Sequence, residues 1–233
     1  GGCITAGSTE SADGNVSVQH GAGDCWVVKA DASGTIQWEK SYGGTGFDNA
    51  YSIQQTADGG YIVAGYSESN DGDVVVNNGG GDCWVIKLDY SGAIDWQKTF
   101  GGTFSDNVKC IRQTVDGGYI VAGNTESSDG DVSINYGASD CWIIKLDNFG
   151  IIEWEKTLGG TSYDYAQDIK QTPDGGYVLC GGTHSVDGNV SEQKGNGDCW
   201  VVKLNNVGTI TWENSYGGSD YDFAQSVELT TDG

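Results

Sequence analysis

The chain has no methionine, and its 233 positions hold one proline, two histidines and 11 basic residues against 33 acidic ones. Each shortage excludes something. A formal charge of −22 repels phosphate backbones, whereas nucleic-acid binders show a basic footprint, so nucleic acid is excluded as a partner. No stretch approaches 18 consecutive apolar residues and no basic amphipathic segment occurs, so no membrane insertion is expected. His20 and His184 occupy different places in the repeat described below, so no histidine-centred triad or histidine metal cluster recurs. With no methionine and with residue 1 inside a repeat, the chain is expected to be a processed form or an excerpt of something longer.

What is present is a fixed beat. Gly81-Asp82-Cys83-Trp84-Val85-Ile86-Lys87-Leu88-Asp89 has counterparts centred on Trp26, Trp142 and Trp200, each 58 residues from the next, with no insertions. Asp58-Gly59-Gly60-Tyr61-Ile62-Val63-Ala64-Gly65 precedes it, and Ile94-Asp95-Trp96-Gln97-Lys98, Gly101-Gly102-Thr103 and Asp106 follow. Such a period marks a solenoid, a propeller or an array. Thirty-nine glycines, 12 tyrosines and 8 tryptophans fit many strands joined by glycine turns around a real core.

Each period reads as four short strands and no helix: A (48–56), B (61–67), C (82–89) and D (93–100), with a tight A–B hairpin at 57–60. Four antiparallel strands per period predict propeller blades rather than the shorter coils of a β-helix. The expected fold is therefore all-β, one propeller domain over 1–233 with repeats 1–58, 59–116, 117–174 and 175–232. The ring is expected to close when the C-terminal A strand, 222–230, pairs with 2–9 and completes the first blade, which protects both edges. The B–C connection, 68–81, is long in every copy and accounts for most of the excess over the roughly 40–45 residues of a WD40 blade. Elaboration is thus confined to the face bearing the B–C and D–A connections.

These motifs resemble the propeller repeats of large secreted or surface-attached bacterial proteins, especially from Bacteroidetes, and all four copies match. The resemblance implies an extracellular propeller placed beside adhesive or sorting modules. It carries no agreed catalytic residues to transfer. The family often has an aromatic residue where this chain has Cys83 and its equivalents.

Candidate sites are weighed against ordinary structural roles. Cys25, Cys83, Cys141 and Cys199 recur in strand C, third from the axis; at about 4.8 Å per strand, neighbouring copies lie roughly 20 Å apart. A disulfide needs Cα atoms within about 7 Å, so these are expected to be buried thiols sharing no zinc. Cys3, Cys110 and Cys180 fill positions held elsewhere by Tyr61, Ser52 and Ala64. In the B–C loops, Asp13-Gly14-Asn15, Asp71-Gly72-Asp73, Asp129-Gly130-Asp131 and Asp187-Gly188-Asn189 set two oxygen-bearing side chains around a glycine. That arrangement serves either as turn chemistry or as part of a Ca²⁺ site, although the third acid and distal Glu of an EF-hand are missing. Asp48, Asp106, Asp164 and Asp222 at the D–A corners are expected to accept backbone N–H groups. Lys29, Lys87, Lys145 and Lys203 read as ion-paired or snorkelling side chains. Phe47, Phe104, Tyr163, Tyr165, Tyr221 and Phe223 vary between copies on the elaborated face, where aromatics stack sugars or peptide side chains or pack between blades.

The function expected from these readings is a non-enzymatic extracellular binding, adhesion or scaffold propeller that requires no cofactor, with Ca²⁺ as an optional ligand. Its partner is expected to be a protein or glycan on the B–C/D–A face, or further copies in a larger array. The alternative is a carbohydrate-binding or carbohydrate-active propeller. An enzyme of that kind is expected to break the fourfold pattern with clustered acids in a pocket, and a scaffold to keep it.

Overall fold

The structure is a computed structural model and describes residues 1–231. Glycine turns cut the chain into fifteen strands with no helix among the described residues. They are β1 (Cys3–Thr9), β2 (Asp24–Ala30), β3 (Ile36–Tyr42), β4 (Asp48–Gln55), β5 (Tyr61–Ser67), β6 (Asp82–Leu88), β7 (Ile94–Phe100), β8 (Asp106–Gln113), β9 (Tyr119–Thr125), β10 (Asp140–Leu146), β11 (Ile152–Leu158), β12 (Asp164–Gln171), β13 (Tyr177–Thr183), β14 (Asp198–Leu204) and β15 (Ile210–Tyr216). They form four antiparallel sheets, one of three strands and three of four, in the repeated arrangement of propeller blades.

Two compact units divide the chain. The first, Gly1–Gln113, contains the sheets β1-β2-β3 and β4-β5-β6-β7, with β8 packed against β4, β5 and β6. The second, Thr114–Gly233, contains the strand run β9-β10-β11 and the sheet β12-β13-β14-β15.

Local chemistry fixes each turn. In the A–B hairpin, Thr56 N–H donates to Gly60 O and Gly59 N–H to Thr56 O, both at 2.9 Å, while Asp58 Oδ1 accepts the Gly60 N–H. Gly59 sits at φ 86°, a left-handed conformation that costs a side-chain-bearing residue about 1–2 kcal/mol. The same bonds recur around Gly117 and Gly175. Two of the four repeated lysines, Lys87 and Lys145, are buried and ion-paired, whereas Lys29 and Lys203 are half-buried. Lys87 Nζ binds Asp58 at 2.8 Å, Asp95 at 3.5 Å and Leu88 O at 3.1 Å, and its hydrogen bond holds the Asp58 carboxyl down at about 2. Lys145 repeats this with Asp116, Glu153 and Leu146 O.

β6 and β10 are buried at every residue, whereas β14 alternates buried and half-buried. A strand covered on both faces loses its period of two, and one covered on a single face keeps it. Trp84, Trp142 and Trp200 lie in the core, each indole N–H donating 13 residues on, to Gln97, Glu155 and Glu213. Neighbouring sheets are tied side chain to backbone. In the first unit Ile111 N–H donates to Ser52 Oγ at 3.2 Å and Gln113 N–H to Gln54 Oε1 at 2.7 Å. In the second, Val115 N–H donates to Gln171 Oε1 at 2.9 Å.

Two expectations need correction. Residues 222–230, expected as a strand paired with 2–9, form no strand, and the sheet containing β1 has three strands. A strand is a pairing rather than a property of a segment, and this one is instead held from one side: Val227 N–H and Ser226 Oγ both donate to Asp168 Oδ2, at 3.2 and 2.9 Å. The following turn, expected at 231–233, lies outside the described residues apart from Thr231. No disulfide joins any two cysteines among the described residues, and Cys25, Cys83 and Cys141 are buried as expected, but Cys199 is half-buried. β2, β6 and β10 are covered by β4, β8 and β12; among the described residues no strand packs over β14 to the same extent. Burial pushes the Cys25 and Cys141 thiols far up, which leaves them protonated and unreactive.

Candidate functional site

The elaborated loops are organised by carboxylates. Asp48 Oδ2 accepts Gly44 N–H at 2.9 Å and Ser69 Oγ–H at 2.7 Å, and Oδ1 accepts the Ser67 hydroxyl. Asp164 does the same with Gly160 N–H, Ser185 and Thr183. Asp106 and Asp222 accept Gly102 and Gly218 N–H. The corner role expected of these four residues is present in every copy. Sequence reasoning missed the hydroxyl partners, whose signal is the recurring pairs Thr9/Ser11, Ser67/Ser69, Thr125/Ser127 and Thr183/Ser185.

The Asp-Gly-Asp/Asn loops serve the same corners. All four close by one turn, with Val16, Val74, Val132 and Val190 N–H donating to Asp13, Asp71, Asp129 and Asp187 O at 3.1–3.2 Å. Asp71 Oδ1 accepts Thr45 N–H at 2.7 Å and Asp73 Oδ2 accepts Gly43 N–H at 3.2 Å. Asp187 and Asn189 likewise take Thr161 and Gly159 N–H. In these two loops the two side chains thus address separate N–H groups. No group of three or more His, Cys, Asp or Glu gathers to hold a metal among the described residues.

A second acid sits beside each corner, at the start of strand C. Asp140 is fully buried; its Oδ2 accepts Tyr136 N–H and its Oδ1 has no hydrogen-bond partner. Burial, reinforced by the charge of Asp164, pushes its carboxyl up to about 6. The folded state therefore holds this proton more tightly than the unfolded chain does. Its contribution to stability is complete below about pH 4 and is lost as pH rises through about 6. Asp140→Asn keeps an oxygen for Tyr136 and turns an amide donor towards Asp164. The variant is expected to match the parent near pH 4 and to exceed it by about 2 kcal/mol at pH 7.5. Urea melts at both pH values check this, and an equal offset at the two overturns it.

Departures from the repeat mark the remaining site. His184 occupies the position of Glu10, Glu68 and Glu126, and Tyr165 and Phe223 occupy that of Asn49 and Asn107. The backbone is unchanged: His184 N–H donates to Tyr163 O at 2.9 Å, as Glu68 N–H does to Phe47 O. The side chains instead build a ladder of five rings. Tyr163 stacks on Tyr165 at 6.3 Å, Tyr165 meets His184 edge-on at 6.3 Å, His184 stacks on Tyr221 at 5.5 Å, and Tyr221 stacks on Phe223 at 5.9 Å. Two glycines make room. A Cβ on Gly197 would meet His184 Cε1 at 2.7 Å, and one on Gly182 would meet Phe223 Cδ2 at 2.4 Å. Tyr163 and Tyr221 remain 48% and 56% exposed, so the ladder presents rings to solvent rather than filling the core.

Its surroundings are negative. Burial pushes the Tyr165 hydroxyl up, and Tyr163, Tyr221, Asp164 and Glu126 push it further. Of the varying aromatics identified from sequence, the structure brings Tyr163, Tyr165, Tyr221 and Phe223 together and adds His184, whose only sequence signal is that it interrupts a column of Glu. The other histidine is engaged elsewhere, its Nδ1 3.1 Å from Asp24 Oδ2.

No family model matches the chain, and no curated protein matches it. Among solved structures, one match is described as "Crystal structure of the eukaryotic initiation factor", at 9% identity and a TM-score of 0.42, covering 95% of this chain and 44% of that one. The chain spans under half of that neighbour's length, and a likeness this loose carries no functional argument.

Proposed function

We propose that the chain is a non-enzymatic binding module of the cell exterior, and that its repeated sheets are a scaffold for one asymmetric contact surface, the ring ladder from Tyr163 to Phe223. The observation carrying this reading is that the ladder departs from the repeat while the backbone beneath it does not. A residue needed for the scaffold recurs in every copy, as Asp48 and its equivalents do; His184, Tyr165 and Phe223 replace side chains that serve elsewhere. Stacked, partly exposed aromatics with a polar rim suit recognition, because rings supply large contact area at small entropic cost. Placement outside the cell rests on the sequence resemblance. Binding is favoured over catalysis because neither histidine is paired with a nucleophile: His20 is held by Asp24 and His184 is held between rings.

The repeat itself supplies the test. Tyr165→Asn/His184→Glu/Phe223→Asn installs the residues found at these positions in other copies, so it is expected to fold and melt within a few degrees of the parent. On peptide and oligosaccharide arrays, ligands retained by the parent are expected to lose at least tenfold in affinity on the variant. Equal retention by both proteins, or no retention by the parent, overturns the proposal.

A further inference from the structure

We infer that the partner of the ladder is a basic peptide segment, one of whose arginine side chains stacks on the face of exposed Tyr163 turned away from Tyr165 and pairs with the carboxylates around it. This rests on the reading of the ladder as the contact surface and adds the chemistry of what it contacts.

Three observations carry it. The chain bears 33 acidic against 11 basic residues, so its field favours a cationic partner at every approach distance below the screening length. Negative groups also gather at the ladder itself. Asp164 and Glu126 are close enough to raise the Tyr165 hydroxyl, Glu126 is exposed, and exposed Asp220 precedes Tyr221 in the chain. Finally, the rings offer the kind of face a cation prefers. A cation above an aromatic ring is attracted by the ring's negative face, and the protein already uses this contact internally, with Lys109 Nζ 4.0 Å from the Tyr51 ring centre.

Arginine suits the site better than lysine. Its planar guanidinium lies flat on a ring and still directs paired N–H donors at a carboxylate in the same plane, whereas an ammonium is a strongly hydrated point charge. The ladder provides both elements, with an exposed ring at Tyr163 and exposed acids at Glu126 and Asp220.

The experiment measures binding of a synthetic (Arg-Gly-Ser)₄ peptide at physiological salt by fluorescence anisotropy, beside the same peptide with Lys and with citrulline, and a neutral oligosaccharide panel. The expected order is Arg tighter than Lys by several-fold, with no measurable citrulline binding. The variant Tyr163→Ser/Tyr165→Asn/His184→Glu/Phe223→Asn, whose new residue at 163 is that of Ser105 in the second copy, removes the ring the arginine covers and separates mechanisms by sign. It adds a negative charge, so charge attraction alone predicts equal or tighter Arg binding, whereas the ladder mechanism predicts at least tenfold weaker binding. Glu126→Gln in the parent is expected to weaken the Arg peptide and leave neutral ligands unaffected. Arg and Lys peptides binding equally, with no loss in the variant lacking Tyr163, overturns the inference as diffuse charge attraction. Oligosaccharide binding that depends on the ladder, with no Arg preference, overturns the inference but leaves the contact surface standing. Binding of no probe that depends on the ladder overturns both.

Discussion

Asp164→Ala is expected to destabilise the chain by about 3–5 kcal/mol, the largest single-residue loss at the corners. The carboxylate is fully buried and collects three donors from three places in the chain: Gly160 N–H at 2.9 Å, Ser185 Oγ–H at 2.7 Å and the Thr183 hydroxyl. Hydrogen bonds to a charged group contribute roughly 1.5–3 kcal/mol each, and a methyl in its place leaves buried donors with no acceptor. Relief of repulsion with Asp140 returns part of the loss, which is why the total is below the simple sum. For a chain of this length the midpoint of thermal unfolding is expected to fall by roughly 8–15 °C. A double-mutant cycle with Asp140→Asn tests the assignment: the stabilisation by Asp140→Asn at pH 7.5 is expected to shrink once Asp164 is gone. A loss below about 1 kcal/mol, or strict additivity, would refute the coupled-acid picture.

A single methyl group should be nearly as damaging. A Cβ on Gly159 would lie 2.3 Å from Asp140 Oδ1 and 2.5 Å from Asp164 Oδ2, and neither oxygen can retreat into solvent. The same collision recurs at Gly101 with Asp82 and Asp106, and at Gly217 with Asp198 and Asp222. Here glycine is required for space, unlike Gly175, where a Cβ meets nothing within 4 Å but φ is 83°. Overpacking in a rigid core costs roughly 1–3 kcal/mol and more where charged groups must move, so Gly159→Ala is expected to cost about 3–4 kcal/mol. Gly175→Ala is expected to cost about 1–2 kcal/mol. Shortening the obstructing acid should distinguish collision from strain. In an Asp140→Ala background the cost of Gly159→Ala is expected to fall by half or more, with no change at Gly175. Urea unfolding of the six proteins decides it, and equal costs in both backgrounds would reject the steric account.

The comparison of sequence with structure divides along one physical line. Strands, turns and corner acids were legible because each repeats: Trp26, Trp84, Trp142 and Trp200 set the register, and observed strands differ from the reading by a residue or so at their ends. Residues 222–230 repeat the pattern of β4, including Asp222 and Ala224, yet form no strand, because ladder pairing is decided by a partner absent from the local pattern. The buried second acid of each corner was read only as part of a strand, since nothing in Asp140-Cys141-Trp142 shows that its side chain will turn towards Asp164. His184 was set aside because it does not recur, although failure to recur is the mark of a position released from scaffold duty. Once strands are aligned by 58, the column Glu10, Glu68, Glu126 and His184 is uniform in three copies and altered in one, while the His184 backbone bond matches that of Glu68.

The ties between neighbouring sheets have a kinetic meaning. Ile111 to Ser52, Gln113 to Gln54, Val115 to Gln171 and Val227 to Asp168 each join residues 56–59 apart, one period along the chain. A sheet is thus coupled to its sequence neighbour, and order spreads from one sheet to the next as in a one-dimensional lattice. Loop closure over one period costs about 1 kcal/mol less than a link across four, which favours assembly between sequence neighbours. Loss of structure should run the same way, with amides of the fully buried β6 and β10 exchanging with solvent later than those of β14, whose alternating face is already partly wet.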